Sequence, residues 1–426
     1  FVWGVYDAEH SLRAGLDLEM MFTMKYSEGN IRKCLKKGLL NEEHIDRAVD
    51  NILRALLRME PKIRKRPMSV VRSKEHRALA LEAAEKGMVL LENNGVLPLA
   101  KGASVIVCGP YADVANTGDH GSSRVYDPEV VTPYQGLREV FAKTTLAGPS
   151  NTANPKKDPK PVENSAAIRA EGDVAVVCVG FDYKGEGEYF VNTNYALTEK
   201  PKDGGGDRLR LRLSREEVDL IKGLKKAGKK VVAVLFSGCA ILVDEWKEYA
   251  DAIVMNYYAG CEGGRALANL LSGAKNFSGH LPFTVAKKEE DYPSFKYIGD
   301  KPYEITYGYY HGYTLLDKEG KDAAYPFGYG KSYTDFALEG AEVSRDQDGV
   351  LVRATVRNTG SVDGAQVVQV YAGSNGAANG ADRPVKLLKG IARVEVPAGE
   401  EKAVEIRISM EELRFWDRGE WILDPA

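Results

Sequence analysis

The chain has 426 residues, too many for one ordinary core, and at roughly 100–200 residues per domain it divides into two to four units. Hydrophobic residues make up 44% and charged residues 28%, and no apolar run approaches the ~18 residues of a membrane helix. A net charge of −3, without clustered unopposed Lys and Arg, excludes an electrostatic case for nucleic acid.

Residues 1–60 read as strand, loop and helices: "AGLDLEMMF" alternates briefly, "KCLKKGLL" is a solvated helix face, and "NEEHIDRAVDNILRALLRM" has helical apolar spacing behind a cap at Asn41 and stops at Pro61. "PKIRKRPMS" mixes basic residues with two prolines, the composition of an exposed linker. A second helix is predicted from Lys74 to Asn93. The runs "SVIVCG", "DVAVVCVG", "KVVAVLFSG" and "AIVMNYY" then alternate with amphipathic stretches such as "SREEVDLIKGLKKAG" and "EGGRALANLLSG". Continuous β-branched runs between helices predict a parallel sheet covered on both faces, from about residue 66 to 300. Ligands usually sit in loops at the C-terminal ends of such strands, which points to "GPYADVANTGDHGSSRV" and "GFDYKGEGEYF". Beyond "YPFGYGKSYTDF", alternating segments such as "GVLVRATVRN", "AQVVQVYAG" and "KAVEIRIS" between Gly, Asn and Asp turns predict a small β-sandwich of the fibronectin type III kind. The polar "SNGAANGADR" reads as its hairpin loop, and the chain ends at Asp424-Pro425-Ala426 before a last strand is expected.

Few residues carry chemistry unaided. The five cysteines lack C-x-x-C spacing, and Cys108 and Cys178 fall inside strand runs, so buried free thiols are expected. The six histidines form no H-x-x-x-H pair, which leaves a metal without support. "YGKSY" is not a phosphate loop, because Tyr325 stands where the required Gly should be. His120, in the Gly-rich "GDHGSS", reads equally as a plain loop residue or a substrate contact. Glu186 and Glu188 follow the strand "VAVVCVG", and glycines beside Glu186 give a carboxyl the freedom a general acid needs. An ordinary exposed loop glutamate fits the same residues.

Seven blocks then occur in a fixed order: "RAGLDLEM", "GMVLLENNGVLPL", "GDHGSSRV", "GEGE" with a later "GGDR", "YYAGCEGGRALANLLSG" with "FSGHLPF", "YPFGYGKSYTDF", and "VRNTGSVDGAQVVQVY" with "RPVKLLKG". Over essentially its whole length the chain resembles glycoside hydrolase family 3. The resemblance implies an α/β plus all-β fold: the end of a (β/α)8 barrel with linker over 1–65, an α/β sandwich with a mostly parallel sheet over 66–330, and an incomplete fibronectin type III-like domain over 331–426. "GLDLEM" is similar to the last barrel strand and its loop, so most of a barrel is expected before Phe1, completed at its C-terminal face by the sandwich.

The family's retaining mechanism uses an aspartate from a Ser-Asp-aromatic motif. "FVWG" resembles the aromatic and its successors in that motif, which would put the nucleophile immediately upstream of Phe1. Retention needs two carboxyl groups about 5–5.5 Å apart. Glu186, in "GEG", matches the general acid/base, with Glu188 as runner-up. Asp7, Asp17 and Glu19 are expected to orient the loop and bond backbone, with Asp17 lining the pocket floor. Asp119, His120, Ser122, Ser123 and Arg124 form a loop that contacts the sugar or the barrel, or is simply held by its own hydrogen bonds. Glu262, Gly263 and Gly264 start a helix, and Asp207 with Arg208 forms an ion pair closing the Glu186 loop. The implied function is hydrolysis of terminal β-linked glycosides, most simply by a β-glucosidase acting on an oligosaccharide or β-glucoside, without metal, cofactor, nucleic acid or membrane. The 426 residues alone are expected to be inactive. Homo-oligomerisation and compartment stay open. The alternatives are a noncatalytic carbohydrate-binding or scaffolding protein, and β-xylosidase or N-acetylglucosaminidase specificity.

Overall fold

The structure is a computed structural model that describes residues 4–20, 22–63, 67–118, 123–125, 127, 129–151, 160–186, 208, 210–293, 307–373 and 382–423. The chain divides into two compact units, 1–73 and 74–426.

The first unit holds helices α1 (Ala8–Arg13), α2 (Glu28–Lys36) and α3 (Glu42–Met59). Asp7 caps α1 by accepting from the His10 N–H at 2.7 Å, and α3 starts behind Asn41 as the sequence predicts. The strand expected in "AGLDLEMMF" is not there among the described residues. Its place is taken by a loop that folds back on the buried Glu19, whose carboxylate accepts the N–H groups of Met24, Lys25 and Tyr26 at 2.8–3.0 Å. That carboxylate fixes the residues that follow the run, while the first amides of the run close the end of α1: Ala14, Gly15 and Leu16 donate to the carbonyls of His10, Leu12 and Ser11. The core of this unit is small, built on Leu12, Leu40 and Ala48, while Val49, Leu53, Leu56 and Leu57 of α3 are exposed.

The second unit begins with α4 (Lys74–Gly87), which stops six residues before the predicted end at Asn93. The apolar run after Gly87 becomes strand β1 (Val89–Asn93) because it finds a partner in the sheet. There follow β2 (Ser104–Cys108), α5 (Pro133–Val140), β3 (Lys143–Ala147), α6 (Asn164–Arg169), β4 (Val174–Gly180), α7 (Tyr183–Glu186), α8 (Arg215–Lys226), β5 (Lys230–Phe236), β6 (Ala252–Met255), α9 (Gly263–Leu271) and α10 (Gly312–Glu319). The strands lie in the order β1-β6-β5-β4-β2-β3, parallel except for β1. Along β5, Val231, Ala233 and Leu235 enter the core on one face, and Val232, Val234 and Phe236 enter the core on the other. Burial on both faces is why these strands read as unbroken apolar runs. Helices α5 and α9 meet backbone to backbone: a Cβ on Gly264 would fall 2.0 Å from the Thr132 carbonyl oxygen, so only glycine permits the contact.

The C-terminal part is the β-sandwich: β7 (Phe336–Arg345), β8 (Gly349–Asn358), β9 (Gly364–Gly373), β10 (Lys386–Val396), β11 (Glu401–Ser409), β12 (Arg414–Asp417) and β13 (Glu420–Leu423). Sheets β11-β8-β7 and β10-β9 enclose Val356, Val368, Val396, Ile406 and Ile408, with β12 and β13 as a separate hairpin. Most of "SNGAANGADR", which joins β9 to β10, lies outside the described residues. The segment entering this sandwich is tied to β1: the Lys331 N–H donates to the Leu90 carbonyl at 2.8 Å and its Nζ pairs with Glu92 at 2.8 Å. Lys331, the lysine of "YGKSY", is thus committed to a carboxylate. All five cysteines are free; Cys108 and Cys178 are buried, but Cys239 is exposed and Cys34 and Cys261 are half-buried, so the expectation of burial holds only for the two inside strands.

Candidate active site

Strands β4, β5 and β6 are parallel neighbours inside the sheet, and their C-terminal ends lie side by side. At the end of β4, Gly180 adopts φ 132°, and a Cβ there would lie 2.1 Å from the Phe236 carbonyl oxygen, so the chain crosses the end of β5 only as glycine. Phe181 donates its N–H to that oxygen at 2.8 Å, and a single helical turn, started on Asp182, delivers Glu186 above Ser237 and Gly238. From the end of β6 the chain reaches Tyr258 through Tyr257, a non-glycine residue at φ 55°. That left-handed conformation costs about 1–2 kcal/mol and is held by Asn256, whose side-chain amide donates to the Tyr257 carbonyl at 3.0 Å.

These loops converge on one carboxylate. Oε1 of Glu186 lies 2.8 Å from Ser237 Oγ and 3.0 Å from Nη2 of Arg208; Oε2 accepts from the Gly238 N–H at 2.6 Å and from the Tyr258 hydroxyl at 2.5 Å. The side chains of Arg208 and Glu186 are 6% and 11% exposed, so this is a buried ion pair with hydrogen bonds on both oxygens. Arg208 also donates to the Ala240 carbonyl at 3.0 Å, contacts Cys239 Sγ, and lies 4.3 Å over the Phe181 ring. Burial, reinforced by the Glu186 carboxylate, pushes the Tyr258 phenol far above its usual range, so it remains a donor at any working pH. Cys239 is an exposed residue, but its sulfur faces inward against Arg208 and Glu186, and the loss of water there pushes the thiol up against the opposing pull of Arg208. Under the site, the buried Glu217 accepts the Gly180 N–H at 2.8 Å and closes a capping box with Ser214 at the start of α8, which fixes the end of β4.

Of the residues singled out in the sequence, Glu186 and Arg208 are brought together, and Arg208 pairs with Glu186. Its expected partner Asp207 lies outside the described residues, as do Glu188, Asp119, His120 and Ser122. Arg124 is half-buried on the connection between β2 and α5. Asp17 belongs to the first unit, where its carboxylate accepts from the Asn51 amide at 3.1 and 3.2 Å. Glu262 is closed to solvent and pairs with Arg77 at 2.5 Å and Arg265 at 2.8 Å, a brace at the start of α9. Sequence reasoning missed Ser237, Gly238 and Tyr258. They lie within three residues of the ends of the runs in "KVVAVLFSG" and "AIVMNYY", where the strand-end rule would have pointed had it been applied to every strand.

Residues 88–333, more than half the chain, match the family model described as the Glycosyl hydrolase family 3 C-terminal domain. The chain belongs to glycoside hydrolase family 3. Its residues 366–426 match the fibronectin type III-like domain, in keeping with the β-sandwich. Over its whole length this family 3 chain is 29% identical to the β-glucosidase BoGH3A of Bacteroides ovatus, of which it covers 60%. Over half its length it is 36% identical to a xylan 1,4-β-xylosidase of Xylanibacter ruminicola, covering 23% of that protein. The crystal structure of the GH3 β-glucosidase of Bifidobacterium adolescentis superposes with a TM-score of 0.80 at 28% identity, covering 98% of this chain and 59% of that one. The chain therefore spans about three fifths of the length of the two β-glucosidases and less than a quarter of the xylosidase. Among the described residues no helix is long and apolar enough to cross a membrane.

Proposed function

We propose that this family 3 chain carries the proton donor of a retaining β-glycosidase, most simply a β-glucosidase, and that Glu186 is its general acid/base. The observation that supports this is the convergence of three strand-end loops on the Glu186 carboxylate, at the C-terminal ends of the parallel strands, where α/β proteins place ligands. In the first half of a retaining cycle Glu186 protonates the leaving glycosidic oxygen while a second carboxylate attacks the anomeric carbon; in the second half it takes a proton from the incoming water.

Such a residue must be hydrogen-bonded in both protonation states. Ser237 supplies this. Its Oγ lies 2.8 Å from Glu186 Oε1 and 2.7 Å from the Cys239 carbonyl oxygen, and its single proton serves one of them at a time. With Glu186 ionised, the hydroxyl donates to Oε1. With Glu186 protonated there, it turns to Cys239 and accepts instead. The attacking carboxylate is proposed to come from polypeptide outside these 426 residues: Asp7, Asp17 and Glu19 are each engaged locally, and the relatives are longer.

The test is Glu186→Gln in the complete enzyme, assayed on alkyl and p-nitrophenyl β-glucosides. Loss of ~10²–10⁴-fold on the alkyl substrates, with azide restoring turnover of the activated ones as a glycosyl azide, is expected. Full activity of Glu186→Gln beside an inactive Glu188→Gln would transfer the role to Glu188. Turnover by residues 1–426 alone would overturn the external nucleophile. The match to a xylosidase favours including a β-xyloside, which reads the sugar preference directly.

A further inference from the structure

We propose that the groove between α10 and strands β9 and β10 binds a neutral sugar ring, as a saccharide site separate from Glu186. The groove encloses about 800 Å³, within the roughly 300–1,000 Å³ of small-molecule sites. Among the described residues its lining shares nothing with the Glu186 network.

Its charges select the ligand class. Lys386 pairs with Asp317 at 3.1 Å, Lys287 with Asp322 at 3.4 Å, and Lys321 with Asp291 at 2.9 Å and Glu319 at 2.8 Å. An anion or a cation would have to break one of these pairs. A polyol need not, because each pair presents a donor beside an acceptor, the pattern that neighbouring hydroxyls match. Tyr313, Phe327 and Tyr371 supply the apolar part: Tyr313 packs 5.2 Å from Phe327 and 5.9 Å from Tyr371, centroid to centroid, offering ring surface to the C–H face of a pyranose.

The lining is also held in place before any ligand arrives. The Tyr313 hydroxyl accepts from the Leu388 N–H at 3.1 Å, the Tyr371 hydroxyl donates to Gln369 Oε1 at 2.6 Å, and Gln369 Nε2 donates to the Gly328 carbonyl at 3.0 Å. Among the described residues two wall atoms lack a hydrogen bond, the Thr284 hydroxyl and Oδ2 of Asp317, the latter held by Lys386 as an ion pair. Thr284 is 4% exposed and its hydroxyl has no hydrogen-bond partner among the described residues. A Cβ on Gly312 would lie 3.8 Å from that hydroxyl, which is itself closed to solvent.

The whole 426-residue chain carrying Glu186→Gln is titrated with cellobiose, by calorimetry and by hydrogen exchange across 312–319 and 386–388. Saturable binding that protects both segments is expected, and both Lys386→Ala, at a side chain 46% exposed, and Gln369→Leu should weaken it roughly tenfold. No binding up to about 20 mM, binding unchanged in both variants, or displacement by inorganic phosphate overturns the proposal. Because the protected segments and both variants lie away from the Glu186 network, the result is independent of the catalytic assignment.

Discussion

Replacing Arg208 by methionine and Glu186 by glutamine, singly and together, measures whether the buried pair exists in solution. At 3.0 Å and an effective dielectric of about 20, the attraction is about 5.5 kcal/mol, from which the loss of hydration of both groups must be subtracted. Removing one partner of a buried pair costs about 3–5 kcal/mol. Arg208→Met should fall near the lower end, since Ser237, Gly238 and Tyr258 still serve the carboxylate. Glu186→Gln keeps the shape but turns an amide N–H₂ toward donors whichever way it is oriented. A coupling of about 2 kcal/mol is expected, inside the range of roughly 0.5–3 kcal/mol for residues in contact. The assay is urea unfolding followed by tryptophan fluorescence. Trp246 is 1% exposed in the α/β core, whereas Trp416 and Trp421 are 59% and 62% exposed, so among the described tryptophans Trp246 dominates the change and reports this domain. A coupling below about 0.5 kcal/mol would refute the pair and the placement of Glu186 with it.

Ser237→Ala in the complete enzyme should lower kcat/KM about tenfold on alkyl glucosides and leave p-nitrophenyl substrates nearly unchanged, with Ser237→Thr recovering the alkyl activity; equal losses on both would show a merely structural hydroxyl. Asp251 is buried, which would raise its pKa, but Lys225, the Val231 N–H and Asn94 outweigh burial and hold the carboxyl below its usual range. A depressed pKa contributes stability above the unfolded value and loses it as pH falls through the folded one. Asp251→Asn should therefore lower the thermal midpoint at pH 7, by an amount that shrinks below about pH 4; a pH-independent difference would contradict it.

The strands of the α/β domain were legible because both faces are buried, so "DVAVVCVG" and "KVVAVLFSG" announce themselves without their neighbours. β1 was hidden for the opposite reason: its run "VLLEN" continues a helix with no punctuation except Gly87, and only the pairing with β6 decides its state. "GLDLEM" misled because alternation predicts a strand only if a partner supplies the ladder, and here the amides of Gly15 and Leu16 close the end of α1 instead. At the candidate site, the carboxylate stood out through its flanking glycines. Arg208, Ser237 and Tyr258 come from positions 22, 51 and 72 residues further on, separations over which no local pattern carries information.

The hydrogen bond from Lys331 to Leu90 has a practical side. β1 is one of the two outermost strands, and this residue, from the very start of the passage into the β-sandwich, covers part of its free edge. Trimming the polypeptide just short of that lysine, to obtain the α/β layer without its companion, would bare unpaired amides and carbonyls beside Leu90 and leave Glu92 without its cation. Such a shortened protein would be prone to stick to copies of itself through that rim, whatever the intrinsic soundness of its core.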